Sequence, residues 1–496
     1  MHIIPGKAER GPVAASGVVV GALAVLGFAE FTTASLNRVV PLVALTVLAA
    51  VAYRSLLRWR TLLATLVLVI LFIPIRRYSS PIHVAIQLEP YRLLVAFVLL
   101  GWIFSLLVDR RVRLRRTGLE GPLMLLAGGA LASILVNQAR IASLGVQTEV
   151  VKNLTFLLSF LIVVYLVASV VRTLADVQFM VKVMVLGGCC VAVAASIETR
   201  TGFNVFNHLA GVVPLLQQAD IGYGLAHQFA NRAYASAQHP IALGAALVML
   251  IPLSVYLARA SRRAWWLTTV VLALGVFASR SRTPVVMLFV TVLVLAVFRG
   301  REMKQLWPAL IPMVLVLHFA MPGAVNGLKG AFLPKGGLVA QQANGSGATS
   351  SGRLAHIAPG IREWSSHAIV GEGYGSRVTD GTGPIGHYGA NAAILDNQWL
   401  GLLLETGLVG IVAWIWLFTR FARQMGRRAR DPSALGWLYA GLAASSLAFA
   451  AGMFTFDTLS FIQVTFLFFI ELALGASLLA ASERTAMEGP AGRAGA

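Results

Sequence analysis

The sequence predicts an all-α protein, a polytopic bundle of about fourteen transmembrane helices with a large extracytoplasmic loop that carries short helices. Three observations predict this fold class. Of the 496 residues, 57% are hydrophobic and only 12% are charged, and the mean hydropathy is +0.78. Apolar runs long enough to cross a bilayer recur along the chain, and they are continuously apolar rather than alternating, which favours helices over a barrel. Short arginine-rich stretches separate many of these runs.

The apolar runs define the expected spans, and the basic residues between them define the orientation. We expect spans, within a few residues, at 13–30, 38–53, 61–75, 90–108, 118–136, 153–171, 178–197, 239–258, 264–279, 284–298, 305–322, 397–419, 434–453 and 459–481. Arginine-rich span ends, such as 110–116, 259–263 and 420–430, all fall on the cytoplasmic side if the N-terminus is cytoplasmic and the number of spans is even. The pattern therefore predicts two cytoplasmic termini, and the first apolar run is expected to be a retained helix rather than a signal peptide.

The long segments between predicted spans are expected on the opposite, outer side of the membrane. We divide the chain into N-terminal transmembrane helices (1–198), an outer loop (199–238), transmembrane helices with a Ser-Arg hairpin (239–322), a large extracytoplasmic loop (323–396), and C-terminal transmembrane helices with a cytoplasmic tail (397–496). In the large loop a Gly/Ser-rich stretch precedes a helical segment near 353–367, which Pro359 is expected to interrupt. Connections longer than about 12–15 residues are usually functional or disordered. Function is therefore expected at the outer face.

The composition also bounds the partners. The formal net charge is +20, but no soluble basic module with interleaved aromatic residues exists to bind nucleic acid, so a nucleic-acid partner is not expected. The two cysteines, Cys189 and Cys190, are adjacent in an apolar run and are expected to form neither a disulfide nor a metal site. The sequence offers no Asp-rich or His-spaced ligand set. We therefore predict no metal and no cofactor.

Arginines at the outer face contradict the charge rule and so point to function. Arg280 and Arg282 lie in a tight hairpin between two predicted spans, and Pro284 follows them. Pro284 suits the first turn of the next helix, whose free N–H groups would point outward beside two guanidinium groups and form an anion site. The alternative is that both arginines meet only lipid phosphates.

Two further arginines, Arg232 and Arg353, are expected on the same face. Each taken alone is more often a solvated loop residue. Four arginines on one face suit a pyrophosphate, because guanidinium is always charged and binds phosphate oxygens as a bidentate fork.

Carboxylates and histidines supply the candidate bases. Asp396 precedes the span 397–419, and a carboxylate at the edge of the hydrocarbon is a functional candidate by default. The alternative is that Asp396 caps the helix, and the two roles are compatible. Glu405 lies deeper in the same span and would need a partner or a proton. The Gly-rich run 371–375 is not a phosphate loop, since it lacks the preceding strand and the following Lys-Ser/Thr. The outer histidines, each more often polar surface when taken alone, are His239, His356, His367 and His387.

Taken in order, these pieces resemble the O-antigen ligase and O-antigen polymerase family of bacterial envelope glycosyltransferases. The resemblance runs from about Arg232 to Gly410 and rests on the order, spacing and sidedness of several motifs. These motifs are His239-Pro240 to Gly244, the hairpin 279–283, Ser351-Gly352-Arg353, Trp364, Gly371-Glu372-Gly373, and Asp396-Asn397 to Gly410.

The resemblance implies an enzyme of the bacterial cytoplasmic membrane that acts at the outer face. It would take a glycan from an undecaprenyl-diphosphate carrier, a polyisoprenoid, and join it to a hydroxyl of an acceptor glycan or lipid. Arg232, Arg282 and Arg353 match the family's arginines and would meet the pyrophosphate. Further substrate contacts are predicted from Arg280, His239 and Asn397. The donor is already activated, so the reaction would need neither a metal nor a sugar nucleotide.

This chain departs from the ligases at the position of the base. Ligases carry a His-Asn pair where this chain has Asp396-Asn397, and the departure favours a polymerase-like activity over lipopolysaccharide ligation. We predict Asp396 first and His387 second as the base that withdraws a proton from the acceptor hydroxyl.

Two other functions compete with glycan transfer. The protein could be a transporter or flippase for a lipid-linked or anionic substrate, or a structural scaffold in which the arginines are incidental. Transporters often show paired broken helices and internal repeats. The sequence predicts neither feature, which favours glycan transfer.

Overall fold

The computed structural model describes residues 58–79, 89–109, 112–213, 216–218, 232–306, 356–377 and 395–488. The predicted spans 13–30 and 38–53, and nearly all of 305–322, lie outside these ranges. So do Arg353, His387 and the Gly/Ser-rich stretch of the large loop.

The described chain is helical apart from short connections and one pair of two-residue strands. The helices are α1 (Trp59–Phe72), α2 (Pro90–Val108), α3 (Glu120–Val136), α4 (Gln138–Leu144), α5 (Gln147–Val170), α6 (Leu174–Thr201), α7 (Pro240–Ala260), α8 (Trp266–Ala278), α9 (Arg282–Leu306), α10 (Ile357–Trp364), α11 (Gln398–Ala429), α12 (Ala434–Gly452) and α13 (Ile462–Glu488). Short 3-10 helices span Val205–Gly211, Arg263–Trp265, Ser365–His367 and Thr458–Ser460. Strands β1 (Tyr78–Ser79) and β2 (Gln217–Gln218) pair antiparallel, with Tyr78 opposite Gln218.

Eight of the described helices are long and apolar enough to cross a membrane, namely α2, α5, α6, α7, α9, α11, α12 and α13. The pair α3 and α4, bent by 67°, would make a ninth span, while α1 and α8 are apolar but shorter. Every predicted span that falls within the described residues coincides with a helix. The helical, multi-pass architecture is confirmed. The total of fourteen spans, the large loop and the domain boundaries stay predictions.

The bundle is built around α7. All of its residues from Pro240 to Ala258 are buried, and α8, α9 and α12 pack against it. The start of α9 approaches α7 closely at Gly244, where an added Cβ would overlap Pro284. The absence of a side chain at Gly244 permits this contact. Aromatic rings fill the space beside α12, where Phe449 and Phe468 stack with centroids 4.2 Å apart. In a membrane such packing replaces the hydrophobic effect as the main source of helix association.

Side chains sort the helix ends into two sets. At one end, which we call the basic end, Arg428 pairs with Glu483 at 3.4 Å and Arg484 donates to the Arg172 carbonyl at 2.7 Å. Arg299 pairs there with Glu302 at 2.8 Å. The opposite end, which we call the outer end, comprises residues 73–79, 198–213, 232–239, 279–281, 356–377, 395–397 and 453–461. The grouping agrees with the predicted sides, and which end faces the cytoplasm stays a prediction.

Two local predictions are wrong. Pro359 does not interrupt a helix, because it lies in the first turn of α10, where its missing N–H has no helical partner to lose. The sequence predicted no broken helix, yet α11 is broken at Gly407, which has φ 61° and ψ −156°. The break depends on contacts with a segment more than thirty residues earlier, and no local pattern reveals them.

Candidate active site

The hairpin between α8 and α9 presents two arginines at the outer end. Arg280 has a left-handed backbone with φ 45°, and α9 begins at Arg282 with Pro284 in its first turn, as predicted. The Ser279 hydroxyl donates to the Val276 carbonyl at 2.7 Å and closes the end of α8. Within the described part of the chain, the buried Nε of Arg280 makes no hydrogen bond. Arg280 precedes the start of α9 by two residues, and the free N–H groups of a helix N-terminus attract anions.

Arg232 lies against this hairpin. Its Nε donates to the Ser279 carbonyl at 3.5 Å, and the adjacent Ala233 N–H donates to the Ala278 carbonyl at 3.2 Å. The structure thus brings Arg232 to the hairpin of Arg280 and Arg282, although 47 residues separate it from Ser279. Arg353, the fourth predicted arginine, lies outside the described residues.

A buried polar network fixes the segment that carries Arg232. Both oxygens of Glu198 accept hydrogen bonds, one from the Ala235 N–H at 2.7 Å and one from Asn204 at 3.0 Å. Arg77 donates to the Ala235 carbonyl at 2.9 Å and lies 4.4 Å over the Tyr234 ring. Burial lowers the pKa of Arg77 to about 10, which leaves the guanidinium charged at neutral pH. Sequence reasoning missed Arg77 and Glu198. The signals that could have found them were an arginine on the outer side and a carboxylate at the end of an apolar span.

His239 caps α7. Its Nδ1 accepts the Ile241 N–H at 3.1 Å, and its ring centroid lies 5.6 Å from that of Phe461. The sequence analysis assigned His239 to substrate binding. The capping bond gives it a structural role, and a substrate contact stays a prediction.

Asp396 and Asn397 have separate roles at the start of α11. The Asn397 Oδ1 accepts the Leu400 N–H at 3.2 Å, so Asn397 is the N-cap. Asp396 precedes the cap and has a left-handed backbone with φ 48°. The alternative that Asp396 caps the helix is therefore wrong. The Gln398 Oε1 accepts the Leu459 N–H at 2.9 Å and ties this helix start to the turn between α12 and α13.

A charged cluster lies beside the outer half of α11. Four nearby carboxylates raise the pKa of Arg377 through their charges. They belong to Glu405, Asp457, Glu363 and Glu372. Burial nevertheless lowers the pKa of Arg377. Glu405, expected to need a partner or a proton, thus has a cation nearby. Sequence reasoning missed Arg377 because it is one of many arginines in the chain.

His356 lies within the electrostatic influence of the predicted base, Asp396. Burial lowers its pKa, the charge of Arg377 lowers it further, and the charge of Asp396 opposes both effects. At neutral pH the ring is therefore predominantly neutral and able to accept a proton. The sequence placed His356 on the outer side without singling it out.

Backbone strain gathers at the same end of the bundle. Among the described residues, four non-glycine residues have a positive φ, and these are Arg76, Ala235, Arg280 and Asp396. Such conformations cost of order 1–3 kcal/mol each and tend to cluster at functional sites. All four lie at the outer end, and two of them are predicted site residues.

The chain resembles O-antigen ligases in its C-terminal half. Residues 267–415 match the model of a protein family described as O-antigen ligase. No curated protein matches the chain. The matched region contains the Ser-Arg hairpin, α10 and the start of α11, so it confirms the resemblance predicted from the sequence. Arg232 and α13 lie outside it.

Proposed function

We propose, proceeding from the match over residues 267–415, that this protein is a membrane glycosyltransferase that transfers or polymerises a lipid-linked glycan. The donor would be a glycan on an undecaprenyl-diphosphate carrier, and the acceptor a hydroxyl of a second glycan or of a lipid. The main support for the proposal is the hydrogen bond from Arg232 to the Ser279 carbonyl. With this bond, Arg232 lies at the hairpin that contains Arg280 and Arg282, at the N-terminus of α9.

The arginine group suits the diphosphate of the donor. Arg232, Arg280 and Arg282 would bind its oxygens together with the first N–H groups of α9, and Arg353 is proposed to join them. When the sugar–phosphate bond breaks, its electron pair passes to the phosphate oxygen, and negative charge grows there. Fixed positive groups around that oxygen would stabilise the transition state more than the ground state.

Asp396 is proposed as the base. The acceptor oxygen attacks the anomeric carbon, its proton passes to the Asp396 carboxylate, and the diphosphate leaves from the opposite face. One displacement of this kind inverts the anomeric centre. Asn397 lies next to Asp396 and is proposed as a substrate contact, and His387 stays the second choice of base. No metal and no cofactor enter this scheme.

The replacement of the ligases' histidine by Asp396 favours a polymerase-like activity. In such a reaction both donor and acceptor would be lipid-linked glycans, delivered within the bilayer to the outer end. We propose that this end is extracytoplasmic in the bacterial cytoplasmic membrane, and that the termini are cytoplasmic.

The direct test is polymer formation from a purified lipid-linked oligosaccharide by the full chain reconstituted in liposomes. We expect longer lipid-linked glycans together with free undecaprenyl diphosphate, and cells that lack the protein should accumulate the unpolymerised lipid-linked unit. Movement of the oligosaccharide across the liposome membrane without any new glycosidic bond would contradict the proposal.

A transporter or flippase is the second candidate, and the break in α11 favours it. Discontinuous helices often form the substrate sites of transporters. The two functions differ in detergent micelles, where translocation has no meaning but glycosyl transfer continues. Product formation in micelles would favour the transferase.

A further inference from the structure

The break in α11 is bridged by a segment that precedes the helix in the chain. At Gly407 the normal helical hydrogen bonds stop, and the backbone of residues 368–373 supplies the missing partners. The four bonds are Glu372 N–H to Leu404 O at 2.8 Å, Gly373 N–H to Glu405 O at 3.2 Å, Leu408 N–H to Ala368 O at 2.9 Å, and Val409 N–H to Ile369 O at 3.2 Å. We call residues 368–373 the bridging segment. It joins the outer half of α11 (398–406) to the rest of the helix.

Two glycines allow this close approach. A Cβ at Gly371 would overlap the backbone of Leu404 and Glu405, and a Cβ at Gly407 would overlap the Ile369 carbonyl. Both glycines also have a positive φ, of 68° and 61°. The two backbones therefore touch without intervening side chains.

Side chains of α3, of α4 and of Asn137 between them hold the bridging segment and the adjacent part of α11 in place. Asn137 donates to the Gly371 carbonyl at 3.0 Å, and the Ser133 hydroxyl donates to the Glu405 carbonyl at 2.5 Å. Arg140 pairs with the carboxylate of Glu372 at 2.6 Å and donates to its carbonyl at 3.3 Å. The Glu372 side chain is only 3% exposed. A nearly buried carboxylate needs such a partner, and Arg140 provides it from the bent helix pair.

The same stretch of chain covers the outer half of α11. Leu400 packs against Gly360 of α10, and Leu395, Leu400 and Leu404 form a small apolar cluster with Trp364. The outer half of α11 is thus held by α10 on its side and by the bridging segment at its base. Asp396 lies just before the first residue of this half.

We propose that Glu372, held by Arg140, is a positioning residue for the transfer step. It would act through the bridging segment to fix the outer half of α11, and thereby the location of Asp396 relative to the arginine group. This inference rests on the proposed function for its catalytic consequence, but its structural part can be measured without any activity.

The structural part is tested with Arg140→Gln/Glu372→Gln, which removes both charges of the ion pair together. Arg377, the buried cation near Glu372, keeps the charges of Glu405, Asp457 and Glu363 nearby. The matched control is Glu149→Gln/Lys152→Gln, an ion pair on α5 at the same end of the bundle whose side chains are both 40% exposed. Hydrogen–deuterium exchange should show a loss of protection in peptides covering 402–410 in the first variant and none in the control. Unchanged protection of 402–410 would overturn the proposal. If the double variant fails to insert, Glu372→Asp, which keeps the charge but shortens the side chain, should show the same loss to a smaller degree.

The catalytic part is tested by combining the pair with Asp396→Asn. In the wild-type background the neutral pair should lower turnover roughly 10-fold to 100-fold, the order expected for a misplacement of about 1 Å. In the Asp396→Asn background it should have little further effect, because the group that it positions is already absent. A general loss of folded protein would instead lower turnover by the same factor in both backgrounds, and that result would overturn the positioning role. If the wild type makes no glycosidic bond, the proposed function fails, while the exchange measurement still decides the structural part.

Discussion

At the residue scale, the sequence could not show which of Asp396 and Asn397 caps α11, and therefore whether Asp396 is only a cap. Either residue type is a good N-cap. The structure assigns the cap to Asn397 and leaves Asp396 in a left-handed conformation one position earlier. Because Asn397 rather than Asp396 is the N-cap of α11, a substitution at Asp396 leaves the capping hydrogen bond to the Leu400 N–H in place.

Asp396→Asn should therefore lower turnover by roughly 10²–10⁴, the usual range for loss of a general base. Asn tolerates the left-handed backbone, so insertion and thermal unfolding should stay close to those of the wild type. Turnover and binding of the lipid-linked donor are measured on the reconstituted protein, and donor binding should change little. Near-wild-type turnover would remove Asp396 from the mechanism and leave His387, with His356, as the remaining candidates.

Arg282→Lys and Arg232→Lys should each cut glycan transfer sharply, because a point charge replaces a bidentate fork. Two losses combined should cost less than the product of the single effects, as expected for groups that share one ligand. Arg280→Lys should have a smaller effect. The control is Arg263→Lys, an exposed arginine at the basic end. Full activity of the Arg232 and Arg282 variants, measured as polymer formation, would contradict a shared diphosphate site.

At the element scale, the helices follow from composition, whereas their interruptions do not. The apolar runs predicted α2 to the residue, and every other predicted span within the described ranges overlaps a helix, although α9 and α11 continue past the predicted ends at 298 and 419 to Leu306 and Ala429. The bend between α3 and α4 and the break in α11 depend on partners distant in the chain, such as Asn137 with Gly371. The candidate site could be predicted only in part for the same reason. Outer arginines could be chosen by the charge rule and Asp396 by its position at the hydrocarbon edge, but Arg77, Glu198 and Arg377 gain their roles from tertiary neighbours.

Gly407→Ala should destabilise the protein by about 1–3 kcal/mol or prevent its insertion, because the backbone conformation at Gly407 is essentially restricted to glycine. The control is Gly128→Ala in α3, where an added Cβ would meet nothing within 4 Å. That substitution should be neutral or slightly stabilising, since alanine favours helices. Thermal unfolding in detergent measures both. Equal stability of the two variants would argue against a break at Gly407.

At the scale of the whole molecule, the two ends differ in charge and in strain. The basic end carries arginines that pair with carboxylates and backbone carbonyls, while the outer end carries the four strained residues and the arginine hairpin. The arginines near 259 and 428, which the sequence predicts on the cytoplasmic side, lie together at the basic end with Arg299.

Cysteine labelling tests the orientation. In a chain whose native Cys189 and Cys190 have been replaced, Ser366→Cys at the outer end should react with an impermeant thiol reagent added to intact cells. Arg427→Cys at the basic end should react only after the membrane is opened. Both positions are exposed, so accessibility depends on the side of the membrane alone. Labelling of Arg427→Cys from outside would move the whole proposed site to the cytoplasm.

The bridged break in α11 also has a consequence for biogenesis. In hydrocarbon an unbonded amide or carbonyl costs several kcal/mol, so an isolated α11 is more stable as one straight helix than as two halves. The bridging segment is synthesised before α11, and in the orientation proposed above it is also exported before α11 enters the membrane. We therefore infer that α11 inserts straight and kinks only when residues 368–373 fold back onto Gly407. Assembly of the outer end would then be a late step. It would be completed only after α3 and α4, which contact the bridging segment, have packed into the bundle.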